Sequence, residues 1–185
     1  MKRKILFLDR DGVINRFPGI GGYVVRWEDF KFLPNAVESI ALLTKAGYEI
    51  YVISNQGCVA RGLISSEALA GLTARMQEAV RTGGGKISGV FYCEHQTDAD
   101  CECKKPKLGL FRQALRTKKE VDLKSIFFIG DSVMDVEAGK NLGCRTVLVL
   151  SGRAALEDVE HWAFRPDFIK QDLWEAAHWI LQEKF

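Results

Sequence analysis

The sequence predicts an α/β fold: a three-layer, Rossmann-like parallel sheet with helices on both faces. Short apolar runs alternate with segments of helical period along most of the 185 residues, which implies repeated β-then-α units and a parallel sheet. Three of the apolar runs stop abruptly at polar or acidic residues, Asp9, Ser54 and Asp131. In parallel sheets ligands gather beyond the carboxyl ends of the strands, so these residues should converge. No repeat, low-complexity tract or linker-like run divides the chain, and a single domain over 1–185 is expected.

The first strand is Ile5 to Leu8, ending at Asp9-Arg10-Asp11-Gly12, where the glycine lets the chain turn away. Residues 16–33 carry glycines at 19, 21 and 22 and several aromatics, which reads as a hairpin or flap. A helix follows over Asn35 to Lys45, with Val37, Ile40, Ala41 and Leu43 in helical period and Gly47 ending it. Tyr48 to Ile53 is the second strand, closed by Ser54-Asn55-Gln56-Gly57. Ser65 is an N-cap for a helix to Arg81. Gly83-Gly84-Gly85-Lys86 lacks Walker spacing and precedes a strand, so it reads as a flexible connection. Ile87 to Tyr92 is the third strand, Leu108 to Thr117 a helix and Ser125 to Ile129 the fourth strand. Helix Val133–Leu142 and strand Thr146–Leu150 come next, then a short helix, an edge strand near Phe168 and an amphipathic helix from Leu173 to Glu183. Trp174, Ala177 and Leu181 are expected to form the buried stripe of that last helix.

A formal net charge of +2 argues for neither nucleic acid nor an anionic membrane as partner. No apolar run reaches the roughly 18–20 residues of a membrane span, and the basic start Met1-Lys2-Arg3-Lys4 meets Asp9 too soon for a signal peptide. A cytoplasmic monomer is expected. Five cysteines, an odd number, argue against a disulfide framework. Cys58 reads as filler and Cys144 as core, and His161 and His178 as surface or packing residues.

Asp9 and Asp11 at a strand end repel one another and lose hydration, so they call for a cation or a proton. Alone, the pair fits equally well a strand end followed by an acidic turn. A second cluster is more specific: Cys93, His95, Cys101 and Cys103 crowd into one glycine-free loop. Four such donors in two close pairs match a closed tetrahedral Cys₃His zinc site, structural because no ligand position is left open. Cys93 follows the third strand and Cys103 runs into Lys104-Lys105-Pro106, so the metal would pin the loop that carries Lys105.

Asp9-x-Asp11, Ser54, Lys105 and Gly130-Asp131-Ser132-x-x-Asp135, in that order at strand ends, resemble the haloacid dehalogenase superfamily of phosphotransferases. The resemblance runs from Ile5 to Leu150. It implies that Asp9 attacks phosphorus and becomes an aspartyl-phosphate, while Asp11 protonates the leaving oxygen and later activates water. Lys105 would supply charge and Ser54 a hydroxyl to the phosphoryl oxygens. A catalytic Mg²⁺ would take oxygen from Asp9, the Asp11 carbonyl and Asp131. Asp135 is read as an early-helix residue favoured by the dipole, the alternative being a supporting carboxylate.

Asn55-Gln56, Ala60-Arg61-Gly62 and the zinc-type loop entering a basic-Lys-Pro motif narrow the resemblance to the heptose-bisphosphate phosphatase and histidinol-phosphatase branch, with Gly22-Tyr23-Val24 and Phe30-x-Phe32 in support. The branch implies hydrolysis of a small phosphorylated metabolite, the C7 phosphate of a heptose 1,7-bisphosphate or histidinol phosphate. Arg10, Tyr23, Asn55, Gln56 and Lys104 would line its substrate site. Lys104 stands where relatives commonly carry arginine and Ser132 where some carry lysine, so a weaker grip on a second phosphate is expected. The intervals from Asp9 to Ser54 and from Ser54 to Lys105 are consumed by elements already assigned, which leaves no room for a separate cap domain. The rival of another class is a zinc-stabilised protein that binds phosphorylated ligands without turning them over.

Overall fold

The strands of the computed structural model, which describes residues 3–96 and 98–183, are β1 Lys4–Leu8, β2 Tyr48–Asn55, β3 Ile87–Cys93, β4 Phe127–Gly130, β5 Arg145–Val149 and β6 Phe168–Lys170. They form one sheet in the order β3-β2-β1-β4-β5-β6, and every pairing is parallel. The helices are α1 Ala36–Lys45, α2 Ser66–Thr82, α3 Gly109–Leu115, α4 Val133–Leu142 and α5 Leu173–Gln182. This is the three-layer α/β arrangement that the alternation of the sequence predicts.

The period of two along each strand divides the core between the two faces. Leu6, Leu8, Ile50, Val52, Phe127, Ile129, Val147 and Val149 pack with buried residues of α1, α2 and α5. Ile5, Phe7, Tyr51, Ile53 and Phe128 point the other way and pack with Leu110, Phe111 and Ala114 of α3 and Ala138 of α4. Burial on both faces is why these strands read as continuous apolar runs.

The element boundaries follow local chemistry. The Ser65 hydroxyl accepts from the Ala68 N–H at the start of α2, the expected cap. Helix α4 ends at Gly143, whose φ of 82° is left-handed. Strand β2 runs two residues beyond the apolar stretch, because Ser54 and Asn55 still pair with Tyr92 and Cys93. Backbone pairing does not depend on side-chain polarity, and it fixes Ser54 in the sheet.

The last helix corrects the expected stripe. Leu173, Ala176, Ala177 and Ile180 are its buried residues, whereas Trp174 and Leu181 lie exposed. The true stripe is offset by one position, a rotation of about 100° on a helix of 3.6 residues per turn. Residues 16–33 form the expected flap. Its base is closed by the Arg16 N–H to the Lys31 carbonyl (2.8 Å) and an antiparallel bridge between Asn15 and Phe32. Trp27 stacks on Phe30 at 5.1 Å, and Arg75 of α2 lies over the Trp27 ring at 4.9 Å, which anchors this limb to the body. Among the described residues, no helix is long and apolar enough to cross a membrane.

Candidate active site

Chain order reverses between β1 and β4, the position where open parallel sheets form a crevice. Asp9 follows β1, Ser54 and Asn55 close β2, and Asp131 follows β4. All four line one cavity of about 390 Å³, together with Asp11, Tyr23, Lys104 and Lys105. The three strand ends therefore converge as expected.

Lys105 is the electrostatic centre. Its ammonium lies 3.0 Å from Asp9 Oδ1 and donates to Asp135 Oδ1 (2.6 Å) and to the Ile53 carbonyl (2.9 Å). An ammonium has three N–H donors, so all are committed and the group is fixed. Burial opposes its charge, but Asp135 and Asp9 outweigh burial and raise its pKa above the usual value. Asn55 holds the same residue by its backbone, accepting from Lys105 N–H (3.0 Å) and donating to its carbonyl (3.2 Å).

Asp135 does more than the early-helix reading assigned to it. Its Oδ2 accepts from the Ser132 N–H (3.1 Å) and hydroxyl (2.5 Å), which caps α4, while Oδ1 takes Lys105. One buried carboxylate thus joins the helix start to the lysine.

Carboxylate oxygens of Asp9, Asp131 and Asp135 lie within 4.8 Å of one another. Burial pushes Asp131 up to about 8, with Asp135 and Asp9 adding to it, and pushes Asp9 up to about 6 against the pull of Lys105. Three buried acids around one lysine leave a charge that a cation would balance. Hard oxygen donors suit Mg²⁺, and Asp135 is already committed on both oxygens, which leaves Asp9 and Asp131 as the side chains free to hold it. The main chain presses close here. Gly12 has a φ of 82°, and a Cβ there would stand 2.0 Å from Asp131 Oδ2, so only glycine fits.

Two expected substrate contacts lie elsewhere. Arg10 and Gln56 are fully buried and outside the cavity lining. Both donate to Asp11 instead, and the Arg10 guanidinium lies near the rings of Phe30 and Tyr92. Tyr23 and Lys104 do line the cavity, as expected.

The cysteine cluster assembles as the spacing implies. Cys93 Sγ stands 3.1 Å from Cys103 Sγ and 3.7 Å from both Cys101 Sγ and His95 Nδ1, and His95 Nδ1 is 3.1 Å from Cys103 Sγ. These spacings suit four donors around one ion with Zn–S near 2.3 Å. Burial and the neighbouring sulfurs push Cys103 up to about 12, the cost of crowding thiols without a counter-charge. The loop is tied to the β2 end as well, by the Gln56 N–H to the Cys93 carbonyl at 2.7 Å. Cys58 is buried filler, its thiol near the Gln56 carbonyl, and Cys144 is core.

The rim holds residues that the sequence reading missed. Phe17 to Gly22 of the flap, Met134 and Arg153 all line the cavity. Arg153 follows β5, the next strand beyond Asp131, and its N–H donates to Asp131 Oδ2 at 2.7 Å. Its place past a strand end was the available signal.

A HAD-hydrolase-like family model matches residues 102–176. The chain is 39% identical over 153 residues to D-glycero-beta-D-manno-heptose-1,7-bisphosphate 7-phosphatase of Pseudomonas aeruginosa, covering 83% of this chain and 84% of that protein. The corresponding enzyme of Bordetella bronchiseptica is 32% identical over 97% of this chain and 99% of its own length. The crystal structure of D,D-heptose 1,7-bisphosphate phosphatase from B. bronchiseptica, complexed with magnesium and phosphate, superposes over 100% of both chains with a TM-score of 0.89.

Proposed function

The chain belongs to the heptose-bisphosphate phosphatase family of haloacid dehalogenase-like hydrolases, and on that premise we propose that it removes the C7 phosphate of a heptose 1,7-bisphosphate through an aspartyl-phosphate on Asp9. The observation that carries the mechanism is the Asp9 carboxylate at the switch point, 3.0 Å from a buried Lys105, with Asp11 lining the same cavity.

In the first step an Asp9 oxygen forms a bond to phosphorus as the bond to the sugar oxygen breaks, and Asp11 gives that oxygen its proton. In the second, water attacks the phosphorus, passes a proton to Asp11 and releases inorganic phosphate, which restores Asp9. The Ser54 hydroxyl would donate to the equatorial oxygens, and Lys105, whose three N–H donors are held by Asp9, Asp135 and the Ile53 carbonyl, would contribute its positive charge. Mg²⁺, held by Asp9 and Asp131 with the Asp11 carbonyl, would supply further positive charge to those oxygens.

Among the described residues the cavity is bordered by the flap from Phe17 to Gly22 and by no separate cap domain, which supports a small phosphorylated metabolite as substrate. Lys104 and Arg153, which both line the cavity, would offer cations to a second phosphate. A non-catalytic binding protein has no need of a nucleophile beside an acid–base residue, which disfavours that reading. The test is phosphate release, with Mg²⁺, from a panel of sugar mono- and bisphosphates that includes histidinol phosphate. The highest kcat/KM is expected for a heptose 1,7-bisphosphate; preference for histidinol phosphate would overturn the substrate assignment.

Zn²⁺ bound by Cys93, His95, Cys101 and Cys103 would hold the loop that delivers Lys104 and Lys105. Stripping with a chelator, followed by restoring Mg²⁺ alone, should lower both the melting temperature and turnover, and adding Zn²⁺ should return both. Unchanged melting and unchanged turnover after verified zinc loss would remove this role.

A further inference from the structure

We propose that Arg10 is a positioning residue: with Asn15 and Gln56 it forms a buried clamp that aims the Asp11 carboxyl at the leaving oxygen. The inference rests on the acid–base role proposed for Asp11.

The clamp is visible atom by atom. Arg10 Nη2 donates to both Asp11 oxygens (3.0 and 2.9 Å), and Nε reaches Oδ1 at 3.3 Å. Asn15 Nδ2 adds a bond to Oδ1 and Gln56 Nε2 one to Oδ2, each 2.8 Å. Three side chains thus fix a carboxyl whose side chain is only 16% exposed. Arg10 is itself immobilised, with its guanidinium 5.7 Å from the centre of the Tyr92 ring and 6.0 Å from that of Phe30. Burial opposes its charge, but Asp11 outweighs burial and raises its pKa.

Such an arrangement is expensive as packing alone. Nη1 of Arg10 and Oδ1 of Asn15 are buried without a hydrogen-bond partner among the described residues. A buried ion pair is commonly replaced by apolar side chains with no loss of stability, and a buried donor or acceptor left unsatisfied costs more still. What the arrangement supplies is orientation of a group that must meet the substrate within a fraction of an ångström. Gln56 Nε2 also reaches Ser54 Oγ at 3.1 Å, so the clamp ties the acid–base residue to the phosphate-facing hydroxyl.

The leaving group separates aim from mere structure. A sugar alkoxide needs its proton as it departs, whereas p-nitrophenolate leaves well without one. kcat/KM reports only the steps up to that departure. Arg10→Met and Gln56→Met should each lower kcat/KM for a sugar phosphate by about 100-fold, the scale of general acid catalysis. The loss with p-nitrophenyl phosphate should be at least about tenfold smaller. Asp11→Asn should show the same selectivity, and Arg10→Met should add little on top of it. Should Arg10→Met not fold, Gln56→Met carries the comparison. Equal losses on both substrates in the Arg10 and Gln56 variants, with Asp11→Asn still selective, would overturn the clamp alone. Equal losses in Asp11→Asn would overturn the acid–base assignment and the clamp with it.

Discussion

Asp9→Asn should lower phosphate release by at least about 10⁴-fold, because an amide cannot form the aspartyl-phosphate and removing a nucleophile costs on this scale. The fold should survive the change. Burial raises Asp9 from 3.8 to about 6, so it costs stability that builds as pH rises between those values and is complete above about 6. A neutral asparagine of the same shape removes the penalty, and Lys105 keeps its 2.6 Å bond to Asp135. The melting temperature in the absence of divalent metal should therefore hold or rise at pH 8, and zinc content should stay unchanged. Asparagine can deamidate back to aspartate, so mass spectrometry should accompany the assay. Wild-type-like turnover in verified Asp9→Asn protein would sink the mechanism, and a collapse of melting would show that Asp9 holds the fold.

Lys105→Met should cost both activity and stability. Removing the ammonium leaves Asp9 and Asp135 buried without a counter-charge, and breaking a buried pair from one side costs about 3–5 kcal/mol. For a chain of this size that is a fall in melting temperature of roughly 10 °C. Turnover should drop by about 10³-fold, the scale seen when one preorganised transition-state donor is lost. Adding Asp135→Asn should recover part of the stability, since the orphaned acid is then neutral, but none of the turnover. Recovery of turnover in the double variant would mean that Lys105 acts only through the fold.

The expected architecture agrees with the structure for a simple reason. A parallel sheet covered on both faces needs unbroken apolar runs, and those runs are printed in the sequence from Ile5, Tyr48 and Phe127 onward. The cysteine loop was legible too, because its ligands are local: a short stretch of chain brings Cys93, His95, Cys101 and Cys103 together. Rotation was less legible. On α5 the pattern of Trp174, Ala177 and Leu181 competed with Leu173, Ala177 and Ile180, and the burial offered by α1 and the sheet chose between them.

Linear order thus determined the fold class, the three strand-end motifs with Lys105, and the donor residues of the cysteine loop. Tertiary structure alone decided where the long side chains reach. Arg10 stands next to Asp9 just past β1, yet its guanidinium is buried near Phe30 and Tyr92 and bonds back onto Asp11. Asp135 looked like a helix cap, and it is one; only the approach of Lys105, from a loop 30 residues earlier in the chain, turned it into a counter-ion. A sequence shows which groups can bond, but the partner of a buried charge is set by whichever opposite charge the packing brings within about 3 Å.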